Sequence, residues 1–207
     1  LKSGARKSRH GRLHLQKTTP MDPNFVIDAR IEAAAKAGAI FALNLSGGKD
    51  STMSADAASK MLDDLGHDRS KRILIHADLG RAEWRSTPDT VRRQAEEIGL
   101  PLITVHRTAG DMVSRWEQRF DQGWQLYEQL KLARLRGPWS SSGQRFCTAE
   151  MKRDVLHRYL AETYPGQTIV SVLGIRHQES PGRAQTPISK IDKKLKRKNG
   201  TNGILWH

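Results

Sequence analysis

The sequence predicts a doubly wound α/β domain, a mainly parallel sheet with helices on both faces, and three observations predict it. Residues 39–106 alternate short apolar runs with amphipathic segments in the order strand–helix–strand–helix–strand. That alternation calls for parallel strands joined by right-handed crossovers. The apolar runs are nearly continuous, as in strands covered on both faces. The first of them breaks at Ser46-Gly47-Gly48 and passes directly into a helical pattern.

The elements follow in order. Phe25, Ile27, Ile31 and Ala35 fit one face of a helix, and Gly38 stops it. Residues 39–45 form a buried strand, and residues 50–65 a helix that ends at Gly66. A second strand covers 72–77. Thr87 is placed to cap the next helix, with Pro88 at its first position and Gly99 after its end. Residues 102–106 read as a third strand and 111–136 as mainly helical. Trp116, Trp124 and Tyr127 on that segment are expected in the core rather than in a base-stacking platform. A loop over 137–146, a helix over 148–164 and a strand over 168–173 complete the pattern. Residues 174–186 form a polar loop. The domain is read as 21–188, preceded by a basic arm (1–20) expected to be disordered and followed by a basic tail (189–207).

Composition narrows the function. No apolar run approaches the roughly 20 residues that span a bilayer, and no N-terminal stretch resembles a secretory signal. The single cysteine, Cys147, excludes an intrachain disulfide and an iron–sulfur cluster held by this chain alone. A cytoplasmic protein is expected. Of the net charge of +13, residues 1–20 carry +6 and residues 193–198 carry +5, which leaves only +2 elsewhere. These two runs are either solvated segments or contacts for nucleic acid or a protein partner. A homo- or hetero-oligomer is compatible with the sequence.

The chemistry concentrates at Ser46-Gly47-Gly48-Lys49-Asp50-Ser51. Glycines let backbone turn tightly and approach an anion, successive N–H groups form an anion nest, and a helix N-terminus adds positive potential. Lys49 adds charge. The spacing is neither that of a Walker loop nor G-x-G-x-x-G.

This segment resembles the PP-loop of the ATP pyrophosphatase and phosphoadenosine phosphosulfate (PAPS) reductase superfamily. Three further segments, in the same order, resemble the PAPS reductase branch: His76-Ala77-Asp78-Leu79-Gly80 followed by Glu83; Arg145-Phe146-Cys147-Thr148 followed by Lys152; and Gly174-Ile175-Arg176 followed by Glu179, Ser180 and Arg183. The resemblance covers roughly residues 40–185 and implies an adenine nucleotide alpha-hydrolase-like, Rossmann-like fold. It implies that Ser46, Gly47, Gly48, Lys49, Asp50 and Ser51 wrap the phosphates of ATP, or the anion of PAPS. His76, Ala77, Asp78 and Gly80 would hold the adenosine. Gly174, Arg176 and Arg183 would bring charge to the anion, a task suited to the planar guanidinium.

Mg²⁺ is expected with the nucleotide, with Asp50 as the first candidate ligand and Asp78 and Glu179 beside it; Asp50 would equally cap the helix. Cys147 is either a nucleophile activated by its helix N-terminus and by Arg145, Lys152 and Arg153, or a small packing residue.

Three functions fit these motifs. The first is an ATP-using enzyme that cleaves the α–β phosphate bond to adenylate an acceptor or activate it for sulfur transfer, with Lys49, Arg176 and Arg183 neutralising charge. The second is a PAPS reductase. That branch uses a cysteine in a C-terminal Glu-Cys-Gly segment, so this function implies further residues beyond Leu205-Trp206-His207. The third is a non-catalytic nucleotide-sensing or nucleic-acid-associated subunit.

Overall fold

The computed structural model describes residues 26–135, 137–141, 143–175, 180–195 and 200–207. Arg176, Glu179, the arm 1–20 and Lys196, Arg197 and Lys198 of the basic run lie outside the described residues.

Six strands form one sheet in the order β3-β2-β1-β4-β6-β5. They are β1 (Ile40–Asn44), β2 (Arg72–Asp78), β3 (Leu102–His106), β4 (Thr168–Val172), β5 (Ser189–Ile191) and β6 (Asn202–Trp206). Every neighbouring pair is parallel except β5 with β6. The helices are α1 (Ala29–Lys36), α2 (Lys49–Asp64), α3 (Thr87–Ile98), α4 (Met112–Leu130), α5 (Phe146–Thr148), α6 (Asp154–Thr163) and α7 (Pro181–Ala184).

Alternation along β1 sorts the core into two layers. Phe41 and Leu43 pack with Ile31 of α1, Leu62 of α2 and Val91 of α3. Ile40 and Ala42 pack with Leu160 and Ala161 of α6. Both faces of the sheet are therefore covered, and the predicted doubly wound architecture is the observed one. Asp28 opens α1 by accepting from the N–H groups of Arg30 and Ile31. Gly99, in the left-handed region at φ 72°, closes α3.

Four details differ from the sequence reading. Ser86, not Thr87, holds the cap position of α3, and its side chain makes no capping bond. The helix expected over 148–164 is divided into α5, a π turn at Ala149–Arg153, and α6. The aromatic residues of α4 are only in part core: Trp116 is half-buried against Met112, Phe146 and Met151, whereas Trp124 is exposed. The fourth difference is the largest. Residues 189–207 are not merely a tail, because they supply β5 and β6. Three-residue β5 is too short to show a period, and β6 opens on Asn202-Gly203, which reads as a turn. Tertiary packing overrides both signals. Trp206 is fully buried, meets Phe41 edge-on at 6.2 Å, and donates from Nε1 to Val26 O at 3.0 Å.

The order of the sheet locates a site. From β1 the chain moves outward through β2 and β3, then returns to β4 on the other side of β1. The direction reverses between β1 and β4, and in open α/β sheets ligands bind beyond the carboxyl ends of strands at such a reversal. Among the described residues no helix is long and apolar enough to cross a membrane.

Candidate functional site

Two loops meet at the reversal. The first, Ser46–Ser51, follows β1. Gly47 takes φ +77°, a conformation that side-chain-bearing residues rarely adopt. Ser51, nearly buried, organises the turn: Oγ accepts from Ser46 N at 3.1 Å, contacts Ser46 Oγ at 2.9 Å and donates to Gly48 O at 2.9 Å. Thr52 Oγ1 donates to Gly48 O at 3.0 Å, and Gln94 of α3 donates to Gly47 O at 3.3 Å. The carbonyls are thus held by hydroxyl and amide groups, at the end of α2 where N–H groups have no intrahelical partner. Lys49 is exposed at the first position of α2.

The second loop begins at Gly174, after β4. A Cβ at Gly174 would stand 2.8 Å from Asp50 O and 2.9 Å from both Asp50 C and Ser51 Cα. The backbone after β4 therefore lies directly on the first turn of α2, and only glycine permits it. Asn44, at the end of β1, donates from Nδ2 to Val172 O at 2.8 Å and ties the two strand ends together.

The loop after β2 forms a further wall. His76 is buried and donates from Nδ1 to Leu45 O at 3.0 Å, which leaves Nε2 facing Glu83 Oε2 at 3.3 Å. Asp78 Oδ1 accepts from Gly80 N at 2.7 Å. Arg81 grips Asp111 through Nε at 2.7 Å and Nη2 at 3.0 Å, and Asp111 caps α4. This pairing holds the Asp111 carboxyl well below the usual carboxylate range, with hydrogen bonds from Arg81 and then Ser114 N as its main causes.

A cavity of about 590 Å³ opens between these loops, a size suited to a small-molecule ligand. Ser46, Ser51, His76, Ala77, Gly174 and Arg183 of the expected set line it. Thr148, Lys152 and Glu83, which belong to the same motifs, line it too. Gly47, Gly48, Lys49, Asp50, Asp78, Gly80 and Cys147 are not on its wall. The first four belong to the loop that borders it, Asp78 and Gly80 shape the turn after β2, and Arg176 lies outside the described residues.

Cys147 is half-buried against the small cluster of Met112, Phe146 and Met151. Burial pushes its thiol up, but hydrogen bonds from Ser140 and Thr148 and the charge of Lys152 outweigh it and leave the thiol below its ordinary value.

The cavity also has residues that motif reading missed. His157 Nε2 and Asp192 Oδ2 pair at 2.9 Å, both buried, and join α6 to the turn after β5. Burial raises the Asp192 carboxyl, yet His157 and the N–H groups of Lys194 and Leu195 hold it below its usual value. Arg153, Lys190 and Lys194 add charge to the wall. No sequence signal links positions 157 and 192, which only the insertion of β6 brings together. Among the described residues no group of three His, Cys, Asp or Glu gathers as a dedicated metal cage.

A family model for the phosphoadenosine phosphosulfate reductase domain matches residues 40–205. The chain belongs to the PAPS reductase family. Through it the chain joins the PP-loop, adenine nucleotide alpha-hydrolase-like superfamily. No curated protein matches the chain. The match to the PAPS reductase domain runs from the first residue of β1 to the penultimate residue of β6, so β5 and all of β6 but Trp206 lie inside the family domain.

Proposed function

We propose that this PAPS reductase family protein binds an adenine nucleotide, ATP in preference to PAPS, and cleaves its α–β phosphate bond to activate an acceptor. The observation that carries the reading is the meeting of the Ser46–Ser51 loop and the Gly174 loop over one cavity at the sheet reversal. In this reaction an acceptor nucleophile attacks the α-phosphorus. The bond from that phosphorus to the bridging oxygen breaks, pyrophosphate leaves with the electron pair, and the acceptor loses its proton.

The residues of this chain then have distinct tasks. Amides of the Ser46–Ser51 loop and the N-terminus of α2 would receive the phosphates. Lys49, Lys152 and Arg183, with Arg176, would neutralise charge that develops on the leaving group. Ala77 and the backbone around His76 would border the adenosine. Asp50, in the first turn of α2 at the Ser46–Ser51 loop, would be the carboxylate to hold a Mg²⁺ that accompanies the phosphates, and the ion would supply charge neutralisation. Cys147, off the cavity wall, serves as a packing residue in this reading. Lys190 and Lys194 on the wall favour an anionic partner beside the nucleotide. Nucleic acid is one candidate, and its binding would weaken steeply with salt.

Calorimetric titration with ATP plus Mg²⁺ and, separately, with PAPS tests the reading on the full chain and on Ser51→Ala. The expected result is preference for ATP, weakened about tenfold or more in the variant. Loss of the Ser51 hydroxyl strands loop groups at about 1–3 kcal/mol. Preference for PAPS would instead support the reductase. Binding of neither nucleotide would sink the proposal.

A further inference from the structure

His157 and Asp192 form an imidazole–carboxylate pair that the nucleotide-binding loops do not use. Both residues are buried, both line the cavity, and Nε2 meets Oδ2 at 2.9 Å. A carboxylate taken out of water is costly unless it is paired and hydrogen-bonded. Asp192 is held from its own turn, where Oδ1 accepts from Lys194 N at 3.0 Å, and its other oxygen meets the ring. A carboxylate at Nε2 keeps the proton of the neutral ring on that nitrogen and leaves the lone pair on Nδ1. The same carboxylate stabilises the imidazolium that forms when Nδ1 takes up a proton, the arrangement by which a carboxylate orients a histidine base. His76, the other imidazole on the cavity wall among the described residues, is committed differently. Its Nδ1 donates to Leu45 O at 3.0 Å, and its Nε2 is sealed against Glu83.

The layers of the fold put this pair where an acceptor would enter. Helix α2, which begins in the Ser46–Ser51 loop, packs on the sheet face that carries Phe41 and Leu43. Helix α6, which carries His157, packs on the opposite face. The cavity bridges the two across the strand ends, with Ser46 and Ser51 on one side and Leu156 and His157 on the other. Along the sheet, β2 with the wall of His76 and Ala77 lies toward one edge, and β5 with the turn that carries Asp192 lies at the other. In an in-line displacement at phosphorus the nucleophile enters opposite the leaving group. Pyrophosphate held by the Ser46–Ser51 loop and α2 therefore leaves the α6 side to the acceptor. A carboxylate acceptor brings no proton to the phosphorus and has no use for a base, whereas a hydroxyl or an amine must shed one.

We infer that His157 is the proton acceptor of this site, oriented by Asp192, and that the acceptor substrate is a hydroxyl or an amine. This role rests on the ATP-cleaving function proposed for the cavity. The acceptor oxygen or nitrogen bonds to the α-phosphorus as its proton passes to His157 Nδ1. The bond to the bridging oxygen breaks, pyrophosphate leaves with the electron pair, and the imidazolium, paired with Asp192, returns its proton to solvent. Water serves as the acceptor in the test: AMP release from radiolabelled ATP plus Mg²⁺ by the full chain, with ATP affinity measured in parallel by calorimetry. His157→Gln keeps a donor for Asp192 but takes no proton. It should bind ATP as the parent chain does and release AMP about a hundredfold or more slowly. Asp192→Asn, which leaves the ring without its orienting charge, should slow release about ten- to a hundredfold. In His157→Ala, added imidazoles should restore AMP release in the order of their basicity, a response that a purely structural latch does not give. AMP release by His157→Gln at the parental rate, a loss of release matched by a loss of ATP affinity, or rescue indifferent to basicity would each overturn the role. A parent chain that binds ATP and releases no AMP would overturn it as well and leave nucleotide binding standing, whereas a parent chain that binds no ATP would sink both.

Discussion

Gly174 sits where one added methyl group reaches the framework of the site. In Gly174→Ala the new Cβ would meet Asp50 O at 2.8 Å and Asp50 C and Ser51 Cα at 2.9 Å. Carbon contacts prefer about 3.5–4.0 Å, so one side must recede by roughly 0.5–1 Å. All three obstacles are backbone in the first turn of α2, and Ser51 is fixed by its bonds to Ser46 and Gly48. The loop after β4 is the side that moves. Overpacking of this kind costs about 1–3 kcal/mol. For a chain of this size each kcal/mol lowers Tm by about 2–4 °C, so a fall of about 2–12 °C is expected by differential scanning fluorimetry. A nucleotide that touches both loops would lose about tenfold or more in affinity by calorimetry. Gly182→Ala is the control, because nothing lies within 4 Å of its added Cβ. Gly174→Ala that matches this control in both Tm and nucleotide affinity would refute the packing of the β4 loop on α2 and the two-loop site built from it.

Two further perturbations probe the fold beneath the site. Arg72 is fully buried and donates to Asp63 Oδ1 at 2.6 Å, Ser59 O at 2.9 Å and His67 Nδ1 at 3.2 Å; Arg72→Met strands these acceptors at a cost of about 3 kcal/mol. Thermal melting should register a fall of about 6–12 °C, and an unchanged melt would count against the network. His67 accepts from Arg72 on Nδ1 and donates from Nε2 to Ala39 O, so the folded state holds it neutral. Burial lowers its pKa first; the Ala39 carbonyl opposes that shift, and the Arg72 charge reinforces it. The unfolded chain therefore takes up this proton first. The contribution of His67 is complete above about pH 6.5 and is lost as pH falls through the lower folded value. Urea midpoints at pH 7.5 and 5.5 should differ, and His67→Gln should shrink the difference; an equal difference in the variant would assign the pH dependence elsewhere.

How far the sequence led depended on whether a residue's partner was near in the chain. The Ser46–Ser51 loop was legible because strand, glycines and helix are contiguous, and the physics of anion binding needs nothing more distant. The same holds for β1, β2 and β3, whose apolar runs stand between clear helix stops at Gly38, Gly66 and Gly99. Gly174 was legible only as part of a motif; its reason, the approach of its backbone to Asp50, is a contact across 124 positions. Trp124 misled because an apolar stripe reports that burial is favourable, while the fold covers only the first turns of α4, around Met112 and Trp116. Residues 189–207 misled because eight residues of strand are dispersed among lysines and glycines, where charge hides the pattern.

The missed strands change what the basic residues do. Pairing of β6 along all of β4, from Thr168 with Asn202 to Val172 with Trp206, removes an open edge beside the site. Leu173 N donates to Trp206 O at 2.8 Å, so the residue just before Gly174 is clamped as well. From the same segment come Lys190 and Lys194 on the cavity wall and Asp192, which grips His157. Charge that reads in sequence as a solvated tail is in part a wall facing the Ser46–Ser51 loop. Lys152 and Arg153 reach the wall from the π turn and Arg183 from α7, against Glu83 and Asp192 as the acids there among the described residues. Two cationic elements of different origin thus border one volume: the amide-rich end of α2, fixed by backbone geometry, and side chains from the π turn, α7 and the β5 segment. The first is built into the superfamily loop. Within the second, Arg153, Lys190 and Lys194 lie outside the family motifs, and they are where this chain's choice of anionic partner would be set.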